Sequence, residues 1–391
     1  MISVNEAINI IEANKRTLPT KVIDTADALD YTLANDINSK INFPPFNQSA
    51  MDGYALNYID GLSKYVIIGE VKAGDMNLNF KVNPGEGVRI YTGATIPTNC
   101  STVIQQEWCI EIQNEISFNH TLKDKLNFRM IGEQIEKGEL ALKKGTQLSP
   151  ALIGYLIGIG EHQIEVIGKP SVGIVITGNE LAHPGEELKE GKIYESNSFM
   201  LIAALKKYNY TNIKVYKTLD DFNQTKNKIK AAIDENDVVL ISGGISVGTY
   251  DFVEQSLNEI GVEKQFYKVK QKPGKPLFYG VYNDKYVFGL PGNPGAALTC
   301  YYIYVLRLLS LISKKNYPLE KTNVFLNKEY LKKSGRSEFL KVFVNDGFAE
   351  ICKFQNSSML RAFEDANAIV YVDENKKQIK SNENVCAYLL L

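Results

Sequence analysis

The chain has 391 residues, a formal net charge of −1, 44% hydrophobic residues and 23% charged ones. This is the make-up of a globular protein with room for about two to four domains. Near-neutral charge excludes a general pull toward nucleic acid or a membrane surface, and the apolar stretches 151–160 and 296–306 fall short of the ~20 residues that a membrane span needs.

The opening segment is acidic and amphipathic, without the basic start and long apolar run of a signal peptide. The five cysteines are odd in number and form no CxxC pair. A reducing, cytoplasmic setting without a disulfide framework or a zinc site is expected. Three histidines, His120, His162 and His183, have no ligand spacing. Chemistry is therefore expected to rest on carboxylates, lysines and backbone amides.

In chain order, residues 4–15 place Ala7, Ile8 and Ile11 at helical spacing and predict an amphipathic helix. Residues 42–56, NFPPFNQSAMDGYAL, read as a long polar and aromatic turn: two prolines bar a helix and Asp52-Gly53 is turn chemistry. Such a turn fits either a functional loop or a linker between domains. From 65 to 119 short strands are expected at 65–68, 88–91, 101–105 and 110–118, broken by Gly, Pro and Asn. Thr92 ends one of them beside Gly93, where its hydroxyl can meet a ligand or cap a turn. Arg129 carries a rigid donor fork suited to an oxyanion, although surface solvation is the commoner fate. Residues 148–158 predict a helix capped by Ser149 with Pro150 in its first turn.

After Lys169-Pro170 strands alternate with helices. Strands are expected at 172–176, 213–218, 238–242 and 287–290, and helices at 198–208, 224–235, 252–260 and 295–309. That order predicts a parallel sheet covered on both faces, with ligands at the carboxyl ends of its strands. The loops there carry Thr177-Gly178-Asn179-Glu180, Asp220-Asp221, Gly243-Gly244 with Ser246 and Asp251, Lys272-Pro273-Gly274-Lys275, and Pro291-Gly292-Asn293-Pro294. The stretch VVLISGGISVGTYD, residues 238–251, couples a buried strand to a Gly-rich loop and a helix start, which makes a natural anion site. Carboxylates Glu180, Asp220 and Asp251 suit a hard cation such as Mg²⁺. Lysines and glycine amides suit phosphate or another oxyanion. Together they point to phosphoanhydride chemistry. Beyond residue 312, short strands predict a small C-terminal β domain.

Taken together, PPFNQSAMDGYAL, YTGATIP, TGNEL, PGEELKEGKIYESN, ISGGISVGTYD, KPGKP and GLPGNP resemble the molybdopterin molybdenumtransferase family, of the MoeA and gephyrin E-domain type. The resemblance implies a multidomain α/β fold. It places a discontinuous linker domain at 1–42 and 130–168, an inserted β domain at 43–129, a molybdopterin-binding α/β domain at 169–314 and a C-terminal β barrel at 315–391. It implies insertion of molybdate into adenylylated molybdopterin with release of AMP, dependent on Mg²⁺. The implied catalytic residues are Asp52, Glu180, Asp220 and Asp251, the last three also binding the metal. The implied substrate-binding residues are Thr92, Arg129, Gly243, Gly244, Ser246, Lys268, Lys272, Lys275, Pro291 and Pro294. An elongated homodimer is implied, in which the Asp52 segment serves the other subunit. Transient contact with the molybdopterin adenylyltransferase and molybdopterin synthase is also implied.

Three positions depart from the family pattern: Glu195 stands where Asp is usual, Gln134 where an acid is usual, and Gly295-Ala296 where Val-Ser is common. If that serine holds an oxyanion elsewhere in the family, this chain needs another donor. Two alternatives stay open: a molybdopterin adenylyltransferase, which shares the α/β domain but is short, and a ligand-binding scaffold of the gephyrin type without turnover.

Overall fold

The computed structural model describes residues 1–75, 81–244 and 252–390. The chain divides into two compact units, one formed by Val22–Leu29 and Leu33–Glu165, the other by Met1–Lys21, Asp30–Thr32 and Val166–Leu391.

The first unit is built on a six-stranded sheet in the order Thr102–Gln105, Gly53–Leu56, Glu86–Ile90, Lys64–Val71, Glu115–Ser117, Ile110–Ile112. Alternation along its strands supplies two apolar faces. Ala55, Val88, Ile90 and Val103 pack on one side, and Tyr54, Leu56, Tyr65 and Ile104 on the other. Gly53 opens the second strand of this order, where a Cβ would lie 1.9 Å from the Ile104 carbonyl oxygen. Two expectations change. The end of the 42–56 turn is a fully buried strand rather than loop, and 110–118 is a hairpin that turns at Gln113, whose φ is +56°. The helix Pro150–Gly158 forms as read, with Ser149 Oγ accepting from the Leu152 amide.

In the second unit the N-terminal helix α1 (Val4–Ala13) starts with a capping box between Ser3 and Glu6. A mixed sheet follows, with strands β1 (Val172–Thr177), β2 (Ile213–Thr218), β3 (Val238–Ser242), β4 (Glu263–Tyr267), β5 (Phe278–Tyr282) and β6 (Lys285–Leu290). Their order is β2-β1-β3-β6-β5-β4. The pairings β1/β2, β1/β3 and β3/β6 are parallel, whereas β5 and β4 add antiparallel strands that were not anticipated. Helices are α2 (Asn197–Lys207), α3 (Phe222–Glu235), α4 (Phe252–Ile260) and α5 (Pro294–Ile312).

β1 and β3 are buried from end to end, which explains their continuous apolar runs. Ile174, Leu240 and Phe288 pack with α1, α2 and α5, while Val175, Val239 and Ile241 pack with α3 and α4. Helix α5 is long and apolar enough to cross a membrane, but 89% of its apolar window is buried inside the protein, as in a core helix. Its middle turn, Tyr301–Val305, is π-helical.

The C-terminal strands β7 (Lys321–Leu326), β8 (Ser337–Asn345), β9 (Phe348–Ile351), β10 (Ala368–Val372) and β11 (Asn384–Leu389) close into a barrel. The circuit runs β8-β9-β7-β11-β10 and back to β8. Val324, Leu340, Val342 and Val370 fill its interior. Phe339, Ile369 and Tyr388 join the α/β core instead. Where β8 begins, Ser337 and Glu338 pair in parallel with Gln271 and Lys272, so the barrel is sewn to the lysine turn.

Candidate functional site

At the carboxyl ends of β1, β2 and β3 the predicted loops converge. Asp220 is gripped by the loop after β1: Thr177 Oγ1 donates to its Oδ1 at 2.7 Å and the Asn179 amide to its Oδ2 at 3.0 Å. Its own amide returns a bond to Asn179 Oδ1 at 3.2 Å. Asp221 does something else. It caps α3, accepting from the Gln224 amide at 2.8 Å. The pair that sequence could not separate is thus divided by geometry.

Glu180, Thr177, Gly243, Gly292 and Pro294 line one cavity of about 150 Å³. Glycine is required at the β3 loop. A Cβ on Gly243 would lie 2.7 Å from the Thr177 carbonyl oxygen, and one on Gly244 would lie 2.8 Å from a Val253 methyl. Both residues sit at positive φ. Ser246 and Asp251 lie outside the described residues.

Two further residues belong to this cleft. Asn197 donates to Ser242 Oγ and to the Gly292 carbonyl, each at 2.8 Å, tying together the loops after β3 and β6. Glu195, buried at the start of α2, accepts from the Ser198 amide and hydroxyl at 2.8 and 2.5 Å. Its extra methylene relative to Asp is accommodated in a capping role, next to a second cavity of about 260 Å³ that also meets Leu181, His183, Leu219 and Gln224. Among the described residues, no group of three His, Cys, Asp or Glu side chains comes together to hold a metal. Among the described residues, Glu180 lines the first cavity, Asp220 is bonded to Thr177 on its wall, and Glu195 also lines it with both oxygens engaged by Ser198. Both Asp220 oxygens keep lone pairs beyond the bonds they already accept.

A larger cavity of about 460 Å³ lies between the α/β sheet and the barrel. Lys272, Lys275 and Pro291 line it, joined by Arg336, Gln355, Ser357 and Ser358 from the barrel side. Sequence reasoning missed Arg336. Its only local signal is a basic residue in a Ser-Gly-Arg-Ser turn. Lys272 Nζ lies 3.9 Å from the buried Glu338 carboxylate, which also accepts from the Tyr330 and Ser334 hydroxyls at 2.5 and 2.7 Å. Ala296 lines the same cavity, and its amide donates to the Ser357 carbonyl at 2.9 Å. The Ser357 hydroxyl takes a 3.0 Å bond from Asn293 Nδ2. Lys268 does not line the cavity. It sits at φ +68° with its ammonium 4.6 Å from the Tyr267 ring centroid.

In the other unit, Asp52 Oδ1 accepts from the Thr92 amide at 2.7 Å and the Thr92 hydroxyl at 2.9 Å. These two bonds, with the nearby Arg89 guanidinium, hold the carboxyl below the usual carboxylate range. Arg89 itself lies between the Tyr54 and Tyr91 rings, 5.9 Å from each centroid. Arg129 is exposed on a two-residue strand that pairs with Gln48-Ser49.

These features define a multidomain α/β protein with a closed five-stranded barrel and polar clefts at the ends of its parallel strands. The comparisons carry this to a family. Residues 2–160 match the MoeA N-terminal region (domain I and II), 173–310 a probable molybdopterin binding domain, and 323–390 the MoeA C-terminal region (domain IV). A putative molybdopterin biosynthesis protein of Methanocaldococcus jannaschii is 32% identical over 392 residues, covering 97% of this chain and 94% of the relative. The molybdopterin molybdenumtransferase of Haemophilus influenzae is 32% identical over 375 residues, covering 94% and 93%. A crystal structure of the molybdopterin biosynthesis MoeA protein of Pyrococcus horikoshii OT3 superposes with a TM-score of 0.81 at 28% identity, over 100% of each chain. The chain belongs to the MoeA family of molybdopterin molybdenumtransferases.

Proposed function

We propose that this protein acts in molybdenum cofactor biosynthesis, inserting molybdate into adenylylated molybdopterin with release of AMP. One observation carries the reading. The loop 291–294 is a wall common to the carboxylate cleft and the basic cavity, contributing Gly292 and Pro294 to the first and Pro291 and Asn293 to the second. An activated phosphorylated substrate and a free oxyanion can therefore be held side by side.

In this reading Glu180 and Asp220, with Asp251, hold Mg²⁺, which supplies charge neutralisation at the phosphoanhydride. The Thr177 hydroxyl and Asn179 amide keep the Asp220 carboxylate aimed. Gly243 and Gly244 present backbone amides to phosphate, as Ser246 does in the family pattern. Lys272, Lys275 and Arg336 hold molybdate by charge-assisted bonds. The Ser357 and Ser358 hydroxyls stand beside Ala296 and supply the donor that this position lacks. Lys268, Pro291 and Pro294 shape the approaches to these sites. Asp52, with Thr92 and Arg129 nearby in sequence motifs, serves the partner subunit in a homodimer. The four-domain division, a cytoplasmic location and transient contact with the adenylyltransferase and the synthase complete the proposal.

The test is direct. Purified protein is given adenylylated molybdopterin, molybdate and Mg²⁺, and AMP is followed. Release that requires all three supports the reading, and no release with authentic substrate overturns it. Consumption of ATP with molybdopterin instead would favour the adenylyltransferase. The homodimer is tested by refolding Asp52→Ala with Glu180→Ala chains. Random pairing returns about a quarter of wild-type activity if Asp52 serves its partner, and none if it serves its own subunit.

A further inference from the structure

The lysine turn of the basic cavity rests on a polar contact buried in the core. Gln271 is fully buried, and so is Tyr304. Gln271 Nε2 donates to the Gly274 carbonyl at 2.9 Å and approaches Cys300 Sγ at 3.5 Å. Its Oε1 accepts from the Tyr304 hydroxyl. Both N–H donors of the amide and one lone pair of its oxygen are therefore engaged, inside a core that would otherwise exclude it.

The turn is pressed onto this support. Gly274 sits at φ +85°, and a Cβ there would lie 2.5 Å from Cys300 Sγ and 2.9 Å from Gln271 Nε2. Tyr304 belongs to the π-helical turn of α5, the kind of helix defect that recurs at functional sites. Burial raises its phenol well above the ordinary value, so it stays protonated and donates, which keeps the amide NH₂ on Gly274. A residue whose only task was to fill this core would be apolar.

We propose that Gln271 and Tyr304 are positioning residues that set the Lys272–Lys275 turn for oxyanion binding. They touch no substrate. They fix the backbone from which the two ammonium groups reach into the cavity. This rests on the oxyanion reading of that cavity.

The experiment compares Tyr304→Phe, which removes one oxygen, with Gln271→Met and with a control, Tyr301→Phe. Tyr301 lies in the same π turn but donates to the Ala204 carbonyl at 2.9 Å, away from the lysine turn. Molybdate binding is measured by equilibrium dialysis, the molybdate KM and kcat by AMP release, and folding by thermal melts. Tyr304→Phe is expected to raise the molybdate Kd and KM by about tenfold or more, with kcat little changed. Tyr301→Phe is expected to lower the melting temperature and leave the Kd at wild type. If Tyr304→Phe melts lower yet binds molybdate like wild type, the pair is merely structural and the inference falls. Should Tyr304→Phe not fold, Gln271→Met decides by the same Kd. If wild type itself binds no molybdate, the oxyanion reading fails and this inference with it, a result distinct from a wild type that binds and a variant that binds equally.

Discussion

In the carboxylate cleft, each group stands at the end of its own strand or in the loop that directly follows it: Thr177 ends β1 and Glu180 follows it, Asp220 follows β2, and Gly243 and Gly244 follow β3. In the basic cavity the groups are gathered from afar. Lys272 and Lys275 come from one turn, Arg336 from the entry to β8, and Ser357 and Ser358 from a loop before a short helical turn. The first site is a property of parallel-sheet topology, which collects strand ends on one edge. The second exists only because the barrel docks against the lysine turn through the Gln271–Ser337 and Lys272–Glu338 pairs. A site of the first kind withstands loss of the barrel's orientation, and one of the second kind does not.

Substitutions can break this contrast. The largest effect is expected in the cleft. Asp220→Asn should lower AMP release by about a hundredfold to a thousandfold, while Asp221→Asn, which keeps a good cap on α3, should stay near wild type. Equal losses in the two variants, read in the same assay, would undo the assignment of separate roles.

Next comes the wall of the basic cavity. Lys341 is fully buried and holds Gln355 there, its amide donating to Gln355 Oε1 at 3.0 Å and its Nζ to the Gln355 carbonyl at 3.2 Å. Burial, with Lys272 nearby, pushes its ammonium down to about 8 from 10.5. Between those values the unfolded chain binds a proton that the folded chain does not. Stability should therefore rise with pH across that window. Lys341→Met should remove this rise and stabilise the protein at pH 7 by up to about 3 kcal/mol. Urea melts at pH 7 and pH 10 check both statements.

Arg336→Gln should be milder and confined to the anion. Loss of one charge-assisted bond, about 2 kcal/mol, corresponds to a roughly thirtyfold higher molybdate KM at similar kcat. Binding should also become less sensitive to salt. An unchanged KM would mean that the barrel contributes shape but no charge.

The smallest effect is expected at Asp52. Thr92→Val removes the hydroxyl bond and keeps the amide bond, the larger of the two influences on the carboxyl. The Asp52 pKa should rise only part of the way to its ordinary value. Its contribution to stability is present above the unfolded pKa and is lost as pH falls through the folded one, so in the variant the loss is smaller and is complete at higher pH. An NMR titration of the Asp52 carboxyl carbon reads this directly.

The sequence by itself determined the parallel strands and the residues at their carboxyl ends, because continuous β-branched runs followed at once by Gly, Asn and Asp encode a strand end locally. Its motifs also identified the family and both lysines of the KPGKP turn. Tertiary structure decided the rest. The antiparallel strands β4 and β5 could not be read because Glu263–Tyr267 alternates weakly and is stabilised by its partner rather than by its own pattern. The turn expected around Asp52 ends in a strand because Tyr54 and Leu56 find one apolar face and Ala55 the other. Asp220 and Asp221 are chemically identical neighbours, and only the geometry of β2 and α3 sends one to Thr177 and Asn179 and the other to a helix cap. Arg336 meets Lys272 and Lys275 across some sixty residues of chain, a proximity set by barrel docking that no local propensity encodes.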